Sequence, residues 1–337
     1  MESILQKFLR AGAMLPELEK FLATVICILF FVLSLYDLAL LSGAVLRNKD
    51  ETYVPIVYVF FMAICGLIAK TIVFLNSFFY LTTENGLYKV YMETIAKYVT
   101  IIHQLSHYFT YSICALMTIH RLVIVRDPKA QFTFQRPRLL IYQIISLIPI
   151  VLLVILPIIL AHCETVFSLS SLNFETTCAY KALLLDKLVL IPITCSLINC
   201  LIFIHSSLRV MGVYTKAAEF LGCTREIKAF VIDAVPPPVK VARVRRYTAM
   251  RQLVVSTAAF MTFCELESLF RIGFPNAVLH PDLNLFLAYF RFVSNAFLNF
   301  FVFQFMTDST KEMVRRLWKG SQALYFHHPP TNIIHVS

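Results

Sequence analysis

The sequence predicts an all-α membrane protein: a seven-transmembrane helix bundle with a short cytoplasmic amphipathic helix after the seventh span. Three observations predict it. Of 337 residues, 58% are hydrophobic and only 15% charged, against about 25% charged in a soluble domain. The apolar residues come in runs long enough to cross hydrocarbon, which takes about 20 residues. The runs are continuous rather than alternating, which fits helices and not a β-barrel, the other structure that satisfies its backbone polar groups in lipid.

Taken in order, residues 1–20 are mixed polar and apolar and read as a tail. Residues 21–307 form the bundle. Its spans are 21–46, 53–78, 95–128, 139–161, 183–208, 252–274 and 285–306. Residues 82–93 are expected to be a loop, with Asn85-Gly86 as its turn signal. Pro149, Pro157 and Pro192 fall inside spans, where neighbouring helices tolerate them. Residues 162–181 make a polar loop, and 209–251 a long basic segment broken by Pro236-Pro237-Pro238. After the seventh span, Ser309 and Glu312 make a capping-box pattern. Met313, Val314, Leu317 and Trp318 then share one face, so residues 308–320 are expected to lie on the membrane surface. Residues 321–337 form a tail.

An odd number of spans puts the termini on opposite sides. Of the Lys and Arg assigned to tails and loops, 20 fall on the side of residues 47–49, 209–251 and 308–320, and 5 on the other. The positive-inside rule makes the rich side cytoplasmic and the N-terminus extracellular. The net charge of +10 is therefore a matter of bilayer orientation and gives no reason to expect nucleic acid as a partner. Membrane lipids are the expected surroundings. No Gly-rich phosphate loop, H-E-x-x-H or G-x-S-x-G pattern is present, so no enzyme and no cofactor are expected.

Ionisable groups inside spans are costly and default to paired or functional roles. Arg121 ends the third span, either as a switch residue facing a cytoplasmic cleft or as an anchor snorkelling to the interface. Asp37, Asn295 and Asn299 fall in the cytoplasmic half and are expected to form one buried polar network, Asn295 and Asn299 sharing a face. Glu265 and Arg291 lie roughly 10 to 14 Å below the outer surface on consecutive antiparallel spans. Matching depth predicts an ion pair, with Glu267 as the rival partner. His103 and His107 share a face of the third span; two His without a third ligand point to pocket lining or interhelical hydrogen bonds and not to a metal. Cys163 and Cys178 both lie in the outer loop, where a loop-internal disulfide can form.

Seven spans, an outside N-terminus, an Arg at the inner end of the third span and a surface helix after the seventh together resemble a G-protein-coupled receptor. Within that superfamily the chain is most similar to the nematode serpentine chemoreceptors of the broad gamma/V-like group, over about residues 21–320. Arg121 matches the Arg of the Asp-Arg-Tyr motif, with His120 in place of the acid and Leu122 in place of the aromatic. Asn299 matches the Asn of Asn-Pro-x-x-Tyr, with Phe300 for the Pro and Phe303 for the Tyr. Asp37 falls at the first span's polar position. The sixth span has neither the Trp nor the Pro of rhodopsin-like receptors. Ile95, Ala96 and Lys97 stand where a Cys is expected at the outer end of the third span, which favours Cys163–Cys178 as the disulfide.

The resemblance implies a chemosensory receptor in the plasma membrane, with sensory cilia as one such membrane. An odorant or pheromone-like small molecule would bind among His103, His107, Glu265 and Arg291. Arg121 and Asn299 would act in the switch to a heterotrimeric G protein. With His120 beside it, Arg121 lacks the usual acid–arginine lock, so either a different contact holds the resting state or basal activity is high. The alternative is a multi-pass transporter or ligand-gated channel, for which buried Lys70 and Arg291 speak; the absence of an internal repeat and of Gly-rich broken helices speaks against it.

Overall fold

The computed structural model describes residues 16–46, 56–82, 85–126, 134, 136–163, 165–168, 173–176, 178–210, 254–274 and 281–305. The tails, the basic segment 211–253 and the expected surface helix 308–320 lie outside the described residues. The described chain is helical apart from one short hairpin. Its helices are α1 (Pro16–Leu46), α2 (Ile56–Thr82), α3 (Asn85–Thr94), α4 (Ala96–Arg126), α5 (Arg136–Ala161) and α6 (Ala179–Val210). They continue with α7 (Val254–Cys264), α8 (Leu266–Gly273) and α9 (Pro281–Ala296). The last described residues are a short helical turn, Leu298–Phe300, and a π-helical turn, Phe301–Phe305. Pro16 and Pro281 open their helices, where the missing N–H costs no hydrogen bond.

Among the described residues, four helices are long and apolar enough to cross a membrane: Lys20–Val45, Val57–Thr82, Pro137–Leu160 and Lys187–Ser206. Their outer faces are bare hydrocarbon. On α1 these are Ile28, Phe31, Val32 and Leu35; on α5, Ile141, Ile145, Ile148 and Leu152. Exposed apolar bands of that extent are at home in lipid and not in water. α4 is as long as α1 but the least apolar of the long helices. It packs against α2, α3, α5, α6 and the hairpin. Its polar residues Thr100, His103, Gln104, Ser106, Thr118 and Arg121 are all buried. α4 is thus the central helix, with polar groups aimed at other helices.

The main apolar core surrounds α4. Tyr58 and Met62 of α2, Ile113 and Met117 of α4, Leu139 and Val154 of α5, Ile193 of α6, Met261 of α7 and Phe303 all belong to it. A second cluster, Ile26, Phe30, Leu33, Val73 and Phe292, joins α1, α2 and α9.

Two expectations change. Residues 85–94 are helix and not loop. Tyr88 packs on Tyr80 at 5.3 Å and Tyr91 on Phe79 at 5.2 Å, with the Tyr91 hydroxyl donating to Asn76 Oδ1. That aromatic face overrides the Asn-Gly turn signal. The segment 162–181 also contains β1 (Thr165–Ser168) and β2 (Asn173–Thr176), antiparallel from Thr165↔Thr176 to Ser168↔Asn173. β1 lies against α4 and β2 against α6 and α9. A disulfide joins Cys163 to Cys178 across the base of this hairpin, with the Cα atoms 5.5 Å apart.

Candidate functional site

An outer polar cluster is built on the interior face of α4. His103, His107 and Tyr111 are spaced by four, so each stands one turn above the next. The imidazoles of His103 and His107 are parallel with centroids 6.3 Å apart, and His107 meets Tyr111 edge-on at 5.2 Å.

Glu265 faces them from the interruption between α7 and α8, where its φ of −111° and ψ of 26° leave the helical range. Its carboxylate is 1% exposed. It accepts from the Tyr111 hydroxyl at 3.0 Å, from Asn295 Nδ2 at 3.0 Å and from the Ser268 hydroxyl at 2.8 Å. His107 Nε2 lies 3.4 Å away. The Tyr111 hydroxyl is also within reach of Asn295 Oδ1. One carboxylate thereby joins α4, α8 and α9.

Of the two carboxylates expected to compete for Arg291, Glu267 is the one at ion-pair distance, and the Arg291 charge also acts on Glu265. Arg291 Nε sits 3.4 Å from Glu267 Oε2, and Arg291 Nη1 donates to Ser268 Oγ at 3.4 Å. The reason is antiparallel stagger: Arg291 lies one turn nearer the start of α9 than Asn295, and so meets Glu267, nearer the end of α8 than Glu265. Both carboxylates are buried, while the Arg291 and His107 side chains keep 18% and 21% exposure.

The expected Asp37–Asn295–Asn299 network is also divided. Asn295 belongs to the outer cluster. Asn299, one turn inward, donates from Nδ2 to Asp37 Oδ1 at 3.0 Å and to the Met62 carbonyl at 2.8 Å. The third member is Lys70, whose Nζ lies 2.5 Å from Asp37 Oδ2. The break in the last helix falls between the two asparagines, at Phe297, whose N–H bonds back three residues to Ser294.

This inner cluster explains Gly66. A Cβ there would stand 2.1 Å from Asn299 Nδ2 and 2.4 Å from Asp37 Oδ2. Those atoms are fixed by the bonds just described and cannot swing away without breaking them. Gly66→Ala is therefore expected to cost about 1–3 kcal/mol as overpacking, seen as a lower melting temperature of the detergent-purified protein.

At the inner end of α4, Arg121 is 1% exposed. Such enclosure by protein does not suit a side chain reaching out along the bundle surface to snorkel. His120 is buried beside it in a line of rings: Tyr58 at 5.6 Å, Phe134 stacked at 4.2 Å, and Tyr142 at 5.8 Å beyond Phe134. Asn199 Nδ2 donates to Thr118 Oγ1 at 3.3 Å and ties α6 to α4. Among the described residues no group of three metal-ligating side chains occurs.

Lys70, Tyr111, Ser268 and Gly66 were not singled out from sequence as members of these clusters. The signal for Lys70 was present: two opposite charges, Asp37 and Lys70, in adjacent spans. The long lysine stem bridges their difference in depth.

No curated protein matches the chain. Residues 53–200, which run from the start of α2 into α6 and include Lys70, the histidines, Arg121 and the disulfide, match the family described as Caenorhabditis serpentine receptor-like protein, class xa. Through that stretch the chain is similar to the nematode serpentine receptors, and class xa is the group it matches where the sequence resemblance had pointed to the broad gamma/V-like group.

Proposed function

We propose that the chain is a seven-helix chemosensory receptor with an extracellular N-terminus and a cytoplasmic C-terminus, which binds an external small molecule and signals to a heterotrimeric G protein. The observation that carries this is α4. One helix holds His103, His107 and Tyr111 against Glu265 toward the outside, and Arg121 about four turns further in. A ligand that prefers one arrangement of the outer cluster shifts the packing of this helix, and with it the inner end. The partly exposed His107 and Arg291 are the groups a ligand would meet first.

The test is a second-messenger readout in cells expressing the chain, screened with small volatile and soluble metabolites. Once an agonist is found, His107→Ala and Arg291→Ala are expected to weaken its potency by about tenfold or more at unchanged surface expression, the loss of one charge-assisted contact. An unchanged dose–response in both would remove the pocket assignment.

The ring line at His120 supplies the resting contact that the missing acid would otherwise provide. Ring pairs contribute about 0.5–1.5 kcal/mol, so Phe134→Ala is expected to raise basal signalling by roughly 2- to 10-fold. The same basal assay checks it. The transporter or channel alternative drew on Lys70 and Arg291. Each faces a carboxylate inside the bundle, an arrangement that structural pairing also accounts for; substrate flux without a G protein would decide for the alternative.

A further inference from the structure

Neither polar cluster uses the corner formed by the end of α2, α3 and the start of α4. There α3 turns back along α2: Tyr91 stacks on Phe79 at 5.2 Å, and Tyr88 meets Tyr80 edge-on at 5.3 Å. The two directions are antiparallel, and both carry the same order of surfaces. Leu75 on α2 and Ile102 on α4 are exposed and aliphatic. One turn nearer the α2–α3 junction the exposed groups are aromatic, Phe78 and Phe79 on α2 and Tyr98 on α4. Beyond them Lys89 and Glu93 of α3 form an ion pair at 3.9 Å with 76% and 63% exposure. Aliphatic side chains, then rings, then charges is the order met on leaving a bilayer. Helix length agrees: about 20 residues cross the hydrocarbon, and that count from Val57, where the α2 span starts, ends beside Phe78. Lys97 Nζ lies 5.5 Å from the centre of the Tyr98 ring, the posture of a long basic side chain reaching along apolar surface toward headgroups.

We propose that this corner is a contact surface for phospholipid. Phe78, Phe79 and Tyr98 lie at the boundary between acyl chain and glycerol, and α3 stands in the headgroup layer. The rings run on into the lipid-facing band of α1, from Phe78 to Phe74 at 5.9 Å and from Phe74 to Phe31 at 5.5 Å. Val90, 55% exposed beside the ion pair, then rests against headgroups and not in open water. Anchoring here sets the depth of α4, the helix that carries both the histidines and Arg121. The inference needs neither ligand nor G protein, so its failure leaves the receptor proposal untouched.

The experiment is fluorescence quenching in the full-length protein reconstituted into phosphatidylcholine vesicles. Trp318 is the chain's single tryptophan. In a Trp318→Phe background, Tyr98→Trp and Phe79→Trp each place one indole in the aromatic band. The lipids carry bromine either near the glycerol backbone or near the chain ends. Both indoles are expected to lose more emission to bromine near the glycerol. Ile102→Trp, one turn deeper, is expected to move that balance toward the chain ends, and Lys89→Trp to be quenched by aqueous iodide. If the two band indoles respond to iodide and to neither lipid, the corner stands in water and the proposal falls. Stronger loss to bromine at the chain ends overturns it by placing the boundary elsewhere. No loss to any quencher overturns it too, because protein then covers the surface. Tyr98 is 61% exposed, so its variant is expected to fold; if Phe79→Trp does not, Tyr98→Trp alone decides.

Discussion

An Asp37→Ala protein is expected to lose most of its folded, surface-expressed population. Lys70 is 4% exposed, and its only carboxylate within 4 Å among the described residues is Asp37. Removing the carboxylate strands an ammonium in a site of low dielectric, which costs about 3–5 kcal/mol when one partner of a buried pair is deleted. Asn299 Nδ2 keeps the Met62 carbonyl, so its loss is secondary. That figure is a large fraction of the stability of an ordinary folded domain. The companion variant Asp37→Ala with Lys70→Met should recover much of the loss, because no charge is left behind. A thermodynamic cycle on melting temperature in detergent checks this. If the double variant is as unstable as the two single losses added together, the pair is not coupled.

The second large effect is at Glu265. Glu265→Ala removes an acceptor shared by Tyr111, Ser268 and Asn295. Each orphaned buried donor could cost about 1–3 kcal/mol. The total will be lower than three such losses, because two donors have alternatives. Tyr111 already reaches Asn295 Oδ1, and the Ser268 hydroxyl can turn back on its own helix backbone. Side-chain hydrogen bonds between membrane helices average only about 0.6 kcal/mol, because the unfolded chain in the membrane also finds partners. A loss of about 2 kcal/mol is expected, dominated by Asn295 Nδ2. Glu265→Gln keeps an acceptor oxygen and should cost less, while losing the charge opposite His107. Melting temperatures of the two variants decide it: equal losses would mean that the charge, and not the hydrogen bonding, holds the cluster.

The long helices were legible because lipid demands long apolar runs, and α1, α2, α5 and α6 lie within a few residues of where those runs place them. The helical interruptions were not legible. Neither Glu265 nor Phe297 stands next to a proline or a glycine, the usual marks of a break. Each break sits where polar side chains are drawn into a shared network, a tertiary cause that local sequence does not carry. The buried charges were each identified, but their partners were not all correct. Counting residues from a span's end fixes depth to within a turn, about 5 Å. It leaves open how one helix is rotated and staggered against the next, and that alone decides whether Arg291 meets Glu265 or Glu267. Gly66 illustrates the limit from the other side. Its role is visible only once Asp37 and Asn299 are seen pressed against its backbone.

The tightening at Phe297 has a geometric consequence. The asparagines on either side of it are bolted to different parts of the molecule, Asn295 to α4 and α8, Asn299 to α1 and α2. At Phe297 the ladder shortens to a bond back three residues while the backbone stays in the right-handed helical region, so the helix tightens there without ending. The two asparagines are thereby set at different angles round one axis, each turned to its own partners, while α4 runs unbroken from the histidines to Arg121.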